Sequence, residues 1–150
     1  MKTLDELLHE HEFFKGFKPE HLELMAGCAT NVIFEAGEYI FREGENADVF
    51  YVIRHGHVTL EIHDPRRGPI AIDTLQENDV LGWSWLFAPY QWHFDAKAVK
   101  LTRAVAMDGK CLRTKCENDH TLGYLMMQRF ATVLADRLQQ TRLQVLKLYD

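Results

Sequence analysis

The sequence lacks any apolar run near the roughly 20 residues that a membrane-spanning helix needs. The N-terminus also lacks the apolar stretch of a signal peptide, because acidic residues and histidines interrupt it. Its three cysteines, with no Cys-x-x-Cys spacing, do not indicate a disulfide framework. We therefore expect a cytoplasmic protein that contacts no membrane and keeps its thiols reduced, with Cys111 and Cys116 as ordinary buried or half-buried side chains.

Positive charge is scarce as well. Lysine and arginine number 17 against 22 aspartates and glutamates, which gives a net charge of -5 and disfavours a non-specific binder of nucleic-acid phosphates. The Gly-x-Ser-x-Gly, Walker-type and Gly-x-Gly-x-x-Gly patterns are absent. We therefore predict no catalytic residue, no metal and no cofactor, and we do not expect an enzyme.

The length and patterning of the sequence predict one domain. A chain of 150 residues is about one domain long and buries enough surface to fold without a metal or a disulfide. Helical patterns occupy residues 4–11, a segment starting at Pro19, and most of the chain after Asp108. Between them, short alternating runs separated by glycines recur about every ten residues, as in an antiparallel sandwich or barrel.

Two of these runs flank Gly56 and predict a hairpin with its turn at that glycine. The same stretch places His55, His57 and Glu61 in the order found in metal-binding cupins, because side chains two apart on a strand share a face. A metal-dependent cupin-like enzyme therefore stays open as an alternative. The turn glycine favours instead histidines that lie on the surface beside a turn.

The most unusual stretch is the aromatic segment, which we define as residues 82–95. It holds all three tryptophans of the chain together with small and polar residues that a plain strand would not collect. Aromatic walls with a few polar groups are typical of a small-molecule pocket, although dense aromatics are also typical of a core. The candidate pocket residues are Gly82, Trp83, Ser84, Trp85, Leu86, Trp92, His93, Phe94 and Asp95, with the tryptophans as walls and Ser84, His93 and Asp95 as polar contacts.

The C-terminal helix carries a second pattern. Its apolar positions repeat with spacings of four, three, four and three, which is the seam of a coiled coil with one polar position. The seam consists of Leu134, Leu138, Thr141, Val145 and Leu148. It predicts a homodimer, or a helix that docks on its own sheet.

Residues 34–58 resemble the opening of a cyclic nucleotide-binding domain, and residues 78–82 resemble the entry to that family's phosphate-binding cassette. The C-terminal helix is similar to the dimerisation helix of the catabolite activator and fumarate-nitrate regulator superfamily. The family's turn glycines correspond to Gly37, Gly44 and Gly56.

The resemblance implies a mainly β fold with flanking helices: an antiparallel jelly-roll β-sandwich, or double-stranded β-helix, followed by a long C-terminal helix. We expect one domain over residues 1–150. Within it, N-terminal helices occupy 1–28, the β-roll 29–108 and C-terminal helices 109–150.

The aromatic segment departs from the family at its ligand contacts. Trp83 stands where the family has the glutamate that binds the ribose, and His93 and Phe94 stand where it has the arginine and the serine or threonine that bind the cyclic phosphate. Losing a charged partner of a buried phosphate costs about 3–5 kcal/mol. We therefore expect a site that does not bind cAMP or cGMP in the usual way.

We expect a stand-alone regulatory or ligand-sensing module of the cyclic nucleotide-binding type. The chain stops where regulators of this superfamily continue into a DNA-binding domain, so we expect no direct DNA binding and an unknown protein partner or small molecule. The alternatives are a genuine binder of a cyclic nucleotide or another small anion, the cupin-like enzyme, and a ligandless interaction module in which Trp83 or Phe94 fills the pocket.

Overall fold

The structure, a computed structural model, describes residues 3–149. Residues 1, 2 and 150 of the predicted domain lie outside the described residues. The chain begins with helix α1 (Leu4–Glu10), a 3-10 turn (Glu12–Phe14) and helix α2 (Pro19–Ala26). Thr3 and Glu6 cap α1 reciprocally through side chain and backbone, and Pro19 occupies the first turn of α2, as their sequence positions predict.

Eight strands follow and form two four-stranded antiparallel sheets, in the orders β1-β8-β3-β6 and β2-β7-β4-β5. The jelly-roll prediction is confirmed by this arrangement. The strands are β1 (Ala29–Phe34), β2 (Tyr39–Phe41), β3 (Val49–His55), β4 (Val58–Asp64), β5 (Gly68–Leu75), β6 (Val80–Leu81), β7 (Asp95–Ala98) and β8 (Thr102–Asp108).

The predicted hairpin at Gly56 is wrong. Strand β3 pairs with β8 and β6, whereas β4 pairs with β5 and β7, so the chain crosses from one sheet to the other at this glycine. Gly56 has a φ of 118°, and a Cβ atom there would lie 2.4 Å from Oγ1 of Thr102. The glycine is needed because the crossing runs directly over the start of β8.

Two hydrophobic cores stabilise the fold. The roll core lies between the sheets and contains Phe41, Ala47, Ile53, Val58, Leu60, Leu75, Leu81, Trp92, Phe94 and Ala96. The helix-side core lies between the first sheet and the helices. Its larger members include Leu8, Phe13, Phe14, Met25, Phe50, Trp85, Met107, Leu112, Leu122, Met126 and Phe130.

The C-terminal part consists of α3 (Gly109–Asn118) and α4 (His120–Lys147), capped by the side chains of Asp108 and Asp119. The first half of α4 packs into the helix-side core, whereas nearly all residues after 134 are exposed. Two arginines hold α4 from the side. Arg129 donates to the carbonyls of Phe13, at 2.8 Å, and Lys15, and Arg137 pairs with Asp73 of β5.

The expectation of reduced thiols is wrong for two of the three cysteines. Cys28 and Cys111 form a disulfide although 83 positions separate them, because β1 and β8 pair and bring the start of β1 beside the start of α3. Cys116 is a free, half-buried thiol. Separately, within residues 3–149, no helix is long and apolar enough to cross a membrane.

Candidate functional site

The aromatic segment connects β6 to β7 at one end of the roll. It leaves β6 through Gly82, with a φ of 98°, and forms a 3-10 turn over Ser84–Leu86. A second reversal follows at Tyr90, with a φ of 56°. Because of these two reversals, side chains close together in this segment point toward different parts of the molecule.

Trp92 is buried in the roll core. Its indole stacks on Phe41 of β2, with ring centroids 3.7 Å apart and ring planes 6° apart. A Cβ atom on Gly82 would lie 2.5 Å from Cη2 of this indole, so the ring lies directly against the Gly82 backbone. The space beside the segment's first glycine is therefore filled by a side chain of the same segment.

Phe94 and Trp83 pack beside Trp92 at the same end of the roll. Phe94 is buried, and its ring centroid lies 5.7 Å from that of Phe41 and 5.7 Å from that of Trp83. Trp83 is half-buried and contacts both cores. Together with Trp92, these rings form one continuous aromatic layer at this end of the roll.

Trp85 points the other way. Trp85 is buried in the helix-side core, where its ring stacks on Phe50 at 5.0 Å and meets Phe130 edge-on at 5.4 Å. Ser84 Oγ and Trp85 Nε1 are buried without a hydrogen-bond partner among the described residues. The predicted pocket is therefore not one cavity, because its tryptophans are divided between two cores.

The predicted polar contacts are also separated. His93 lies exposed on the surface. Asp95 is buried, and its Oδ1 accepts from the backbone N–H of Glu43 at 2.7 Å and lies 3.5 Å from Nε of Arg42. Asp95 therefore fixes the connection between β2 and β3.

Arg113 of α3 is the main contact that the sequence does not reveal. Its guanidinium donates to the carbonyl of Trp85, lies 4.2 Å from the centroid of the Tyr90 ring, and approaches Oδ1 of Asp48 to 3.7 Å. It thus joins the aromatic segment to the helix that leads into α4. No local pattern marks this arginine, since its three partners lie 23 to 65 positions away.

A surface cavity of about 530 Å³ lies between the aromatic segment, α3 and α4. Of the predicted pocket residues it is lined only by Trp85 and Leu86; Tyr90, Tyr124 and Met127 supply further apolar wall. Cys116 also lines it, and burial, followed by Asp119 and Glu117, raises the pKa of its thiol.

The cupin-like alternative finds no support in the described part of the chain. Within residues 3–149, no three histidine, cysteine, aspartate or glutamate side chains lie close enough together to hold a metal ion. His55 is exposed at the end of β3, and Glu61 accepts a hydrogen bond of 3.3 Å from the hydroxyl of Tyr39.

The predicted seam lies on α4, with Leu148 just beyond its last residue. Leu134 is half-buried, and the other four seam residues are exposed. Tyr124 and Met127 are exposed nearer the start of the helix, 67% and 55% respectively. Their positions continue the three-and-four spacing through Ala131 to Leu134, so one stripe, exposed except at the half-buried Leu134, extends along almost the whole helix.

A sequence profile of the cyclic nucleotide-binding domain matches residues 31–119. The chain belongs to this family. It is 27% identical over 138 residues to the CRP-like cAMP-activated global transcriptional regulator of Mycobacterium tuberculosis, in an alignment that covers 92% of this chain. The chain spans 60% of the length of that relative.

Solved structures agree with this assignment. A protein of Geobacter metallireducens GS-15, solved under the name of a cyclic nucleotide-binding protein, superposes with a TM-score of 0.81 at 28% identity and covers 92% of this chain and 99% of that one. A cyclic nucleotide-binding domain from Methylobacillus flagellatus KT has the same TM-score at 16% identity, covering 97% and 82% of the two chains, and shows the fold alone.

Proposed function

We propose that this member of the cyclic nucleotide-binding domain family is a regulatory module that does not bind cAMP or cGMP in the usual way. The observation that carries the proposal is the position of Trp92, whose indole lies against the Gly82 backbone and stacks on Phe41. A nucleotide would have to displace this buried ring from the roll core. Displacing a buried tryptophan side chain costs about 3–5 kcal/mol in packing alone.

The charges around the segment support the same conclusion. An imidazole, His93, stands exposed at the position where the resemblance places a phosphate-binding arginine, and it cannot form the bidentate contact of a guanidinium. Trp83 carries no acceptor for a ribose hydroxyl. Both the space and the polar partners of the usual site are therefore replaced.

The mechanism we propose is a shift between two packings of the C-terminal helices. A small molecule or a protein partner that engages the aromatic segment changes the position of the 3-10 turn, and Arg113 transmits this change to α3 and then to α4. A ligand shifts such an equilibrium only by as much as it prefers one packing over the other. The role is regulatory rather than catalytic.

We further propose that α4 forms a homodimer through its exposed stripe. An apolar stripe with coiled-coil spacing is stabilised when a second helix covers it.

The substitution Leu138→Glu should weaken the dimer more than about 100-fold, because the interface would bury an unpaired charge from each chain. Gln139→Glu, which adds the same charge one position away from the stripe, is the control. Multi-angle light scattering should give about twice 17.5 kDa for the native chain and the control.

The ligand proposal is tested by thermal unfolding in 1 mM cAMP or cGMP. A site with a Kd near 10 μM would add about 2.7 kcal/mol under these conditions and raise Tm by roughly 5 °C or more. We expect no such rise. A rise that increases with nucleotide concentration would overturn the proposal and support a genuine cyclic nucleotide binder. Trp92→Ala, measured in parallel, shows whether opening the space alone admits the nucleotide.

A further inference from the structure

The Cys28–Cys111 disulfide joins two parts of the chain that are distant in sequence. Cys28 lies between α2 and β1, and Cys111 lies in the first turn of α3. Their Cα atoms are 5.7 Å apart, well within the range that a disulfide can bridge. Cys28 is buried, whereas Cys111 is half-buried and is therefore the more accessible of the two sulfur-bearing residues.

The bond lies where the roll passes into the C-terminal helices. The N–H of Asp108, which caps α3, donates to the carbonyl of Cys28 at 2.8 Å, and Ala29 pairs with Met107 in the neighbouring rung. The disulfide adds a covalent bond to this backbone pairing. It thereby fixes the start of α3, the helix that carries Arg113, to the N-terminal helices.

We do not expect folding to require this bond. A chain of 150 residues with two hydrophobic cores buries enough surface to fold without a covalent staple. Disulfides that persist are typical of oxidising compartments, whereas those of reducing compartments are usually transient and redox-sensing. A single bond placed at the joint between roll and helices, rather than across a poorly packed region, is consistent with a controlling role.

The third cysteine serves as a built-in comparison. Cys116 lies on α3 five residues after Cys111, but its side chain packs toward Gly123 of α4. A Cβ atom added to Gly123 would lie 3.3 Å from the Cβ atom of Cys116. Its raised pKa keeps the sulfur as a thiol, which is a poor nucleophile. It differs from the other two cysteines in its neighbours and in being a free thiol.

We propose that Cys28–Cys111 is a thiol–disulfide exchange site, opened by a dithiol reductant and closed by a small disulfide oxidant, and that opening it releases the start of α3. A thiolate of the reductant attacks Sγ of Cys111, and Cys28 leaves as a thiolate that takes up a proton. The second thiol of the reductant then attacks the mixed disulfide and frees Cys111. Two electrons pass to the protein, and the dithiol becomes a disulfide.

This inference does not depend on the proposal about cyclic nucleotides. It is tested by treating the native protein with oxidised glutathione or with dithiothreitol, removing the reagent, and counting thiols by mass spectrometry after alkylation in denaturant, because Cys28 is buried and Cys116 reacts poorly in the folded protein. We expect one thiol in the oxidised protein and three in the reduced protein. Reduction should lower Tm by roughly 5–15 °C, leave the far-ultraviolet circular dichroism unchanged, and speed amide hydrogen exchange over residues 109–118 at least tenfold.

Two variants sharpen the test. Cys116→Ser should retain the whole response, with thiol counts of zero and two. The double variant Cys28→Ser/Cys111→Ser should show the fast exchange of the reduced protein whether oxidant or reductant is present. Three thiols after treatment with oxidant, a bond that opens only in denaturant, unfolding on reduction, or unchanged exchange over α3 would each overturn the proposal.

Discussion

The Trp92 indole and the Phe41 ring lie parallel, 3.7 Å apart, although 51 positions separate the two residues. Trp92→Ala should lower the free energy of unfolding by about 3–5 kcal/mol, because it removes a large buried side chain. In a double-mutant cycle with Phe41→Leu, the coupling should be about 0.5–1.5 kcal/mol. Urea denaturation measures all four proteins. Additive effects would show that the stack contributes nothing beyond the area that each ring buries.

Gly82 should tolerate no side chain while Trp92 is in place. Gly82→Ala combines the strain of a φ of 98° with a Cβ that would lie 2.5 Å from the indole, so it should cost more than about 2 kcal/mol.

Gly37→Ala is the matched control for this substitution. Its φ is 89°, but nothing lies within 4 Å of the added Cβ atom, so only the backbone strain of about 1 kcal/mol remains. Combining Gly82→Ala with Trp92→Ala should remove the steric part of the Gly82 effect. Equal costs for the two glycine substitutions would contradict the close contact.

The sequence is sufficient to predict a β-rich middle between helical ends and the starts of α1 and α2, because these depend on local patterns. It is not sufficient to predict which tryptophan enters which core. Trp85 and Trp92 are seven positions apart, and the reversals between them, at the 3-10 turn and Tyr90, decide their directions. The same limit explains why the hairpin predicted at Gly56 is wrong, since alternation in two neighbouring runs does not show whether they pair with each other.

Pairing of cysteines is non-local in the same way. Cys28 meets Cys111 only because of the register between β1 and β8, which places Ala29 opposite Met107. Phe41 is likewise visible in the sequence as a strand residue, but nothing marks it as the partner of Trp92. The sequence could therefore suggest a pocket filled by Trp83 or Phe94 as an alternative, but it could not show that Trp92 is the ring that stacks on Phe41.

The ion pair between Arg137 and Asp73 should hold the middle of α4 to the β4–β5 hairpin. Both side chains are largely buried, with 16% and 23% exposed. Arg137→Gln should cost about 1–2 kcal/mol and speed hydrogen exchange in α4. The exposed pair Lys15–Glu12 is the control, and Lys15→Gln should cost less than about 0.5 kcal/mol. Equal effects would show that Arg137 does not anchor the helix.

Stability should fall in mild acid because of His11. Its Nδ1 accepts from the N–H of Phe13 at 3.1 Å, and its Nε2 lies 3.2 Å from the carbonyl of Ile53, so the folded chain holds a neutral imidazole that donates through Nε2. Burial lowers the pKa of His11 below its ordinary value of 6.5; the carbonyl and nearby carboxylates act in the opposite direction but more weakly.

The sign follows from proton binding. Below about pH 6.5 the unfolded chain takes up a proton at His11 that the folded chain resists, so this contribution is present above pH 6.5 and is lost as the pH falls. The slope from this one residue is at most about 1.4 kcal/mol per pH unit. His11→Gln should flatten the profile of unfolding free energy between pH 7 and 5, whereas His93→Gln, at an exposed position, should not. Parallel profiles for the native protein and His11→Gln would refute this assignment.

Arg113 contacts a carbonyl, an aromatic face and a carboxylate that belong to three separate stretches of chain. One side chain thus contacts the residue just before β3, the aromatic segment and, through its own backbone, α3. A movement of the aromatic segment therefore alters the surroundings of Asp48 as well as those of α3. Under the proposed mechanism, the start of β3 should accordingly respond to a ligand together with α3.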